Sequence, residues 1–118
     1  DAEVELVGAS GARRVPLADL FRDDGAAHLT IGPAEILAQV RVPAGAGARR
    51  SAYRKLTARD AIDFPLAGVA CAVELDGRGV PSLLRVALTG TDSRPFLLEG
   101  TEALVGRAVD EDLLAALA

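Results

Sequence analysis

Chemistry in a polypeptide needs groups that carry charge, protons, metals or nucleophilic electrons, and this chain of 118 residues is sparing with them. The densest collection is cationic. Between Ile36 and Arg59 there is no acid, and six bases follow one another: Arg41, Arg49, Arg50, Arg54, Lys55 and Arg59. Acids return at Asp60 and Asp63. A cationic run around a loop attracts phosphate or an anionic cofactor ring. Equally, long Arg side chains solvate a face and pair with acids elsewhere. Both readings stand on charge alone.

Other candidates are thinner. Gly45-Ala46-Gly47 mimics part of a dinucleotide fingerprint, but it follows Pro43 and opens no helix, so it reads as a loop. His28, the one histidine, has no carboxylate or serine at a suggestive spacing. Cys71 lies mid-strand among apolar neighbours and reads as a buried, unreactive thiol. As the one cysteine it excludes an internal disulfide framework or a cysteine-cluster metal site, and it fits a reducing compartment. Ser10 and Ser93 lack the context of a nucleophile elbow. The residues alone supply no catalytic constellation.

Composition narrows the class. Thirteen bases against seventeen acids give a net charge of -4, which does not suit a dedicated nucleic-acid binder. Aromatics are 3% (Phe21, Tyr53, Phe64 and Phe96), so stacking platforms for single strands are nearly absent and the core must be built from Ala, Val and Leu. No apolar run approaches the roughly 18 residues of a membrane span. The length suits one domain or a piece of a larger protein. An opening at Asp1 without Met, and a close at Ala118 inside an apolar pattern, read as a fragment.

The elements that must position these residues follow from periodicity. Glu3 to Val7 alternates as a half-buried strand, Gly8-Ala9-Ser10-Gly11 turns, and Arg13 to Val15 is extended. Leu17 to Phe21 suggests one helical turn. Ile36, Ala38, Val40 and Val42 alternate with Gln39 and Arg41 as a strand that Pro43 stops. Ser51 to Thr57 is a further extended segment. In the strand Leu66 to Leu75, Ala67, Val69, Cys71, Val73 and Leu75 share one face. Gly68, Ala70 and Ala72 keep the other face small, as if under a closely packed helix or other neighbour. Asp76-Gly77-Arg78-Gly79 turns the chain into a return strand through Ser82, Leu84, Val86 and Leu88. Thr91 to Pro95 offers capping residues for a helix from Phe96 to Val105. Asp110-Glu111-Asp112 opens another helix with Leu113, Leu114 and Leu117 inside. Strands followed by helices argue an α+β fold, an antiparallel sheet of three to four strands covered on one face.

Ile36-Leu37-Ala38-Gln39-Val40-Arg41-Val42-Pro43, followed by Tyr53, Lys55, Arg59 and Asp63, resembles the C-terminal domain of the FAD-binding subunit of molybdenum hydroxylases, the xanthine dehydrogenase family. Ala87-Leu88-Thr89-Gly90, Arg94-Pro95 and Glu102-Ala103-Leu104-Val105-Gly106 continue the likeness. Ala61-Ile62-Asp63-Phe64-Pro65-Leu66-Ala67-Gly68-Val69 and Thr89 to Phe96 look most like the beta-type subunit of 4-hydroxybenzoyl-CoA reductase. The resemblance covers nearly the whole chain. It implies that residues 1–25 are the tail of a preceding FAD-binding domain and that 26–118 are the C-terminal domain, truncated before its final helix. It implies a cytoplasmic oxidoreductase subunit relaying electrons through FAD, with iron-sulfur and molybdopterin cofactors on partner subunits. Leu37 would pack near the flavin ring and Lys55 would approach its polar edge, with Arg59 and Asp63 lining the adjoining loop. The fragment alone would be inactive, and the competing reading is an assembly module that docks other subunits.

Overall fold

The computed structural model describes residues 2–45, 49–59 and 63–116. Ala46 and Gly47 of the small-residue loop, Asp60, Ala61 and Ile62, and Leu117 of the last expected helix lie outside them. The described residues form two compact units. One draws on residues 1–46 with Asp92–Arg94, the other on the remainder.

The first unit is a three-stranded antiparallel sheet in the order β2-β1-β3. β1 is Glu3–Gly8, β2 is Gly11–Pro16 and β3 is Glu35–Arg41. β1 has the alternation of a half-buried strand because Val4 and Leu6 are fully buried, against Leu20 with Val15, Phe21, Leu29 and Ile31. The expected single turn is a 3-10 helix at Leu17–Leu20. Because β3 pairs with β1, residues before and after residue 25 pack together in this unit. The simple alternation expected for β3 does not hold. Gln39 pairs with Glu5 and Leu37 with Leu6, so Ala38 is an extra residue, a bulge that opposes nothing on β1. The bulge moves Leu37 onto the face of Leu6 and Val4 together with Val40. It sends Ile36 to the other side with Gln39 and Arg41.

The entry to β3 is held by one carboxylate. Glu35 accepts from Arg13 Nε at 2.7 Å and Arg13 Nη2 at 2.8 Å, and its Oε2 also accepts from the Gly32 backbone at 2.7 Å. Arg13 Nη2 reaches Thr30 O at 3.3 Å, so β2, the approach loop and β3 meet at this pair. Such bidentate, charge-assisted geometry is directional as well as attractive.

The second unit is a four-stranded antiparallel sheet in the order β4-β5-β6-β7. β4 is Arg50–Leu56, β5 is Ala67–Leu75, β6 is Pro81–Thr89 and β7 is Phe96–Leu97. The β5–β6 turn forms as expected. Asp76 Oδ1 accepts from Arg78 N at 2.8 Å and Val80 N at 2.9 Å, and Gly79 takes φ +80, where a side chain would be strained. Direct cross-strand pairing puts Arg50, Val73 and Leu84 in one row, Ala52, Cys71 and Val86 in the next, and Arg54, Val69, Leu88 and Phe96 in a third. This face carries the core. Leu84 and Val86 pack on Leu104 and Leu113, with Cys71, Val73 and Leu98 around them. Cys71 is half-buried there as a free thiol.

Two expectations need correction. Phe96 to Val105 is not a helix: Phe96–Leu97 adds to the β6 edge, Leu98 N donates to Val86 O at 2.8 Å, and a 3-10 turn follows only at Thr101–Leu104. The β6 edge offers these backbone groups partners at once, and Gly100 at φ +83 breaks any helical run. The helical cover also lies away from the small-residue face, whose close neighbour is instead the Tyr53 ring over Gly68. The 3-10 turn and α1, Glu111–Ala115, supply Leu104 and Leu113 to the face with larger residues, not to the face of Gly68, Ala70 and Ala72. α1 starts where its acids suggested, with Asp110 Oδ1 accepting from Leu113 N at 2.9 Å. Among the described residues no helix is long and apolar enough to cross a membrane.

Two outcomes follow from these contacts. The Arg13 guanidinium and the Gly32 amide hold the Glu35 carboxyl down from 4.5 to about 2. A depressed carboxylate stabilises the fold above its ordinary pKa, and that contribution is lost as pH falls through its folded value. Glu35→Gln is therefore expected to lower the thermal midpoint at neutral pH and to flatten its fall between about pH 4.5 and 2. Acid melting profiles of the two proteins check this, and superimposable profiles would contradict it. In the second unit, Leu84→Ala opens a cavity under Leu104 and Leu113 and is expected to cost about 2–5 kcal/mol in urea unfolding.

Candidate functional site

The structure divides the basic ribbon. Arg41 Nη2 stands 4.0 Å from Glu5, Arg49 Nε 3.6 Å from Glu74 Oε2, and Arg59 Nε 3.3 Å from Asp63 Oδ2. Each of these three cations meets an acid from outside the acid-free run. The side chains of Arg50, Arg54 and Lys55 make no hydrogen bond or ion pair among the described residues. All three are exposed on β4, which is the edge strand of its sheet. Charges on an exposed edge discourage pairing with another chain, which is reason enough for an Arg or Lys there.

Register separates the three. Successive side chains of a strand point to opposite faces. Arg50 and Arg54 stand in the rows of Val73 and Val69, on the side that carries the core. Lys55 stands on the other side, in the row of Gly68 and Thr89. Next to that row come Tyr53, Ala70, Ala87 and Leu97, and then Ser51, Ala72 and Arg85. Lys55 thus rises from a floor of small side chains beside Tyr53, which is 54% exposed. An ammonium with no acid partner and an exposed aromatic ring on one low surface is a combination that suits a flat, electron-rich ligand.

The other expected positions fall as follows. Leu37 belongs to the first unit, on β3, and is 43% exposed although it shares a face with the buried Leu6 and Val4. Arg59 and Asp63 are brought together, but with each other. Arg59 Nη2 also reaches Asp63 Oδ1 at 3.3 Å, and that same oxygen accepts from Phe64 N at 3.0 Å. The pair therefore presents little net charge, and Arg59 is 77% exposed. Tyr53 and Gly68 were not among the expected site residues. Their signal was a glycine inside an otherwise β-forming strand, which commonly marks close approach of another group.

No protein-family model matches the chain. It is similar to the medium chain of glyceraldehyde dehydrogenase from Sulfolobus acidocaldarius, with 30% identity over all of this chain and 41% of that protein. The FAD-binding subunit PaoB of aldehyde oxidoreductase from Escherichia coli is 33% identical over 87% of this chain and 32% of that subunit. The medium chain of carbon monoxide dehydrogenase from Afipia carboxidovorans is 32% identical over 96% of this chain and 38% of its own length. Among solved structures, carbon monoxide dehydrogenase from Hydrogenophaga pseudoflava, in a form lacking the Mo-pyranopterin moiety of its molybdenum cofactor, superposes with a TM-score of 0.83. That match has 31% identity and covers 98% of this chain and 39% of that one. The α+β fold is thus that of a carbon monoxide dehydrogenase chain, and the relatives are medium or FAD-binding chains of oxidoreductases. This chain spans between 32% and 41% of the curated relatives it matches.

Because Arg59 is largely solvated, its pair with Asp63 contributes little to stability: Asp63→Asn is expected to change the unfolding free energy by no more than about 1 kcal/mol. Urea denaturation checks this. A loss several times larger would make the pair a structural anchor of the turn into β5.

Proposed function

We propose that this chain is the C-terminal domain of an FAD-binding oxidoreductase subunit and that it closes over the isoalloxazine ring, with Lys55 at the ring's polar edge and Leu37 against its face. The observation that carries this reading is Lys55 itself: an exposed ammonium without an acid partner among the described residues, on the small-residue face of the second unit, in a chain similar over nearly its whole length to medium and FAD-binding chains. Flavin, when bound, supplies the electron chemistry. What this chain adds is charge and shape. A fixed cation beside the pyrimidine side of the ring favours negative charge arriving there and so raises the potential at which electrons are accepted. Leu37, in the first unit, offers an apolar contact, and the Arg59–Asp63 pair, in the second, is nearly neutral. Among the described residues no glycine-rich loop opens a helix, the arrangement that holds a pyrophosphate, and on this reading other parts of the subunit anchor FAD.

On the same reading, residues 1–25 are the tail of the preceding FAD-binding domain. The electrons pass onward to iron-sulfur and molybdopterin partner subunits in the cytoplasm. The relatives named above are dehydrogenases and an aldehyde oxidoreductase. The likeness of residues 61–69 and 89–96 to 4-hydroxybenzoyl-CoA reductase therefore carries that substrate by itself. A second reading, a docking module for other subunits, is favoured by one observation. Leu56, Leu66 and Phe64, the last 90% exposed, cluster where Leu66 N donates to Leu56 O at 2.8 Å.

Three measurements separate the readings. FAD titrated into the isolated chain should show weak binding or none, and tight stoichiometric binding would contradict a lid role. In the complete FAD-loaded subunit, Lys55→Ala should lower the flavin midpoint potential with FAD content retained. Normal potential but failed co-purification of partners in a Phe64→Ser variant would favour docking.

A further inference from the structure

Gly68 is the residue directly opposite Lys55 on β5, and it is the one buried position on that row. Its backbone does not explain the glycine, since it is not among the positive-φ glycines. Space does. A Cβ at Gly68 would stand 2.5 Å from Tyr53 Oη, 3.1 Å from Tyr53 Cε2 and 3.1 Å from Thr89 Cγ2. The first of these separations is closer than carbon and oxygen tolerate, and both near atoms of Tyr53 belong to one rigid ring. Tyr53 therefore reaches diagonally from β4 across β5, past its own partner Ala70, and lays its hydroxyl end in the place where the side chain opposite Lys55 would be.

That placement has a consequence for Lys55. Opposed Cβ atoms in an antiparallel pair lie about 4.5–5.5 Å apart, so the phenol end stands against the foot of the lysine stem. A lysine side chain otherwise swings freely about its four rotatable bonds. Here one side of its arc is walled. Tyr53 does this while remaining 54% exposed, and its hydroxyl has no hydrogen-bond partner among the described residues. The ring is thus held by packing over a missing Cβ and not by a polar tether.

We propose that Tyr53, admitted by Gly68, is a positioning residue for Lys55: it takes the cross-strand seat and limits where the ammonium can stand, so that the cation meets one edge of a flavin-class ring. The proposal rests on the reading of Lys55 given above. It makes Gly68 a requirement of function through Tyr53, although Gly68 touches no ligand.

The test uses the complete FAD-loaded protein and reads the flavin midpoint potential, with FAD content and circular dichroism as controls. Lys55→Ala, Tyr53→Ala and Gly68→Ala should each lower the potential, and Tyr53→Ala should add nothing in the Lys55→Ala background. Tyr53→Phe removes the atom at 2.5 Å, so Gly68→Ala combined with Tyr53→Phe should recover toward the parent value where Gly68→Ala alone does not. Should Gly68→Ala fail to fold, Tyr53→Ala, at an exposed position, carries the test. A shift for Lys55→Ala with none for Tyr53→Ala or Gly68→Ala would overturn the positioning role and leave the flavin reading intact. No shift for Lys55→Ala would overturn both.

Discussion

Antiparallel pairing of β4 with β5 fixes which side chains keep company, because a strand exposes alternate residues on opposite faces. In the observed register Lys55 meets Gly68, Tyr53 meets Ala70 and Arg54 meets Val69. A slip of one residue would exchange the faces, sending Lys55 toward the core side and bringing Arg54 out among the small residues. The register of β5 on β6, the strand pair that β4 joins, is held from the far side of the sheet. Leu84, Val86, Cys71 and Val73 bury themselves against Leu104 and Leu113, and the Asp76 turn locks β5 to β6. Stability and site are thus arranged on opposite faces of one sheet, so that the small-residue face is free of the packing duty.

The first unit uses a different device for a similar end. A bulge at Ala38 breaks the two-residue period of β3 and lets Leu37 and Val40, three apart, share a face. The Arg13–Glu35 pair fixes where that strand begins, since its carboxylate ties β2, Gly32 and the first residue of β3. Both units therefore place their candidate ligand contacts by strand register, with charge pairs and turns acting to hold that register rather than to touch a ligand.

Much of this was legible from periodicity. β1, β2, β4, β5, β6, the Asp76 turn and the acidic start of α1 are where alternation and turn residues put them. Three features were not legible, each for a physical reason. A bulge leaves no mark in an alternating run until its partner strand is known. Phe96 to Leu98 has an apolar stripe that fits a helix, yet the open β6 edge competes for the same backbone groups and wins. The pairing of Arg41 with Glu5 and of Arg49 with Glu74 depends on tertiary proximity that charge spacing along the chain does not reveal, whereas Arg59 and Asp63 are only four residues apart. Pairing removes three of the six bases, and register sends Arg50 and Arg54 to the core side, so that of the six only Lys55 stands on the small-residue face. Tyr53 and Gly68 were visible as residues, but their relation needs the diagonal reach of a ring across a neighbouring strand.

The account comes down to whether Lys55 stands at the edge of a bound flavin ring. Lysine acetylation footprinting of the complete protein, with FAD bound and after FAD removal, reads this at the atom concerned. There is one lysine in this chain, so its modification is assigned without ambiguity by peptide mass. Protection of Lys55 in the FAD-bound form and reaction once FAD is removed is the predicted result. Equal modification in the two forms would contradict the account.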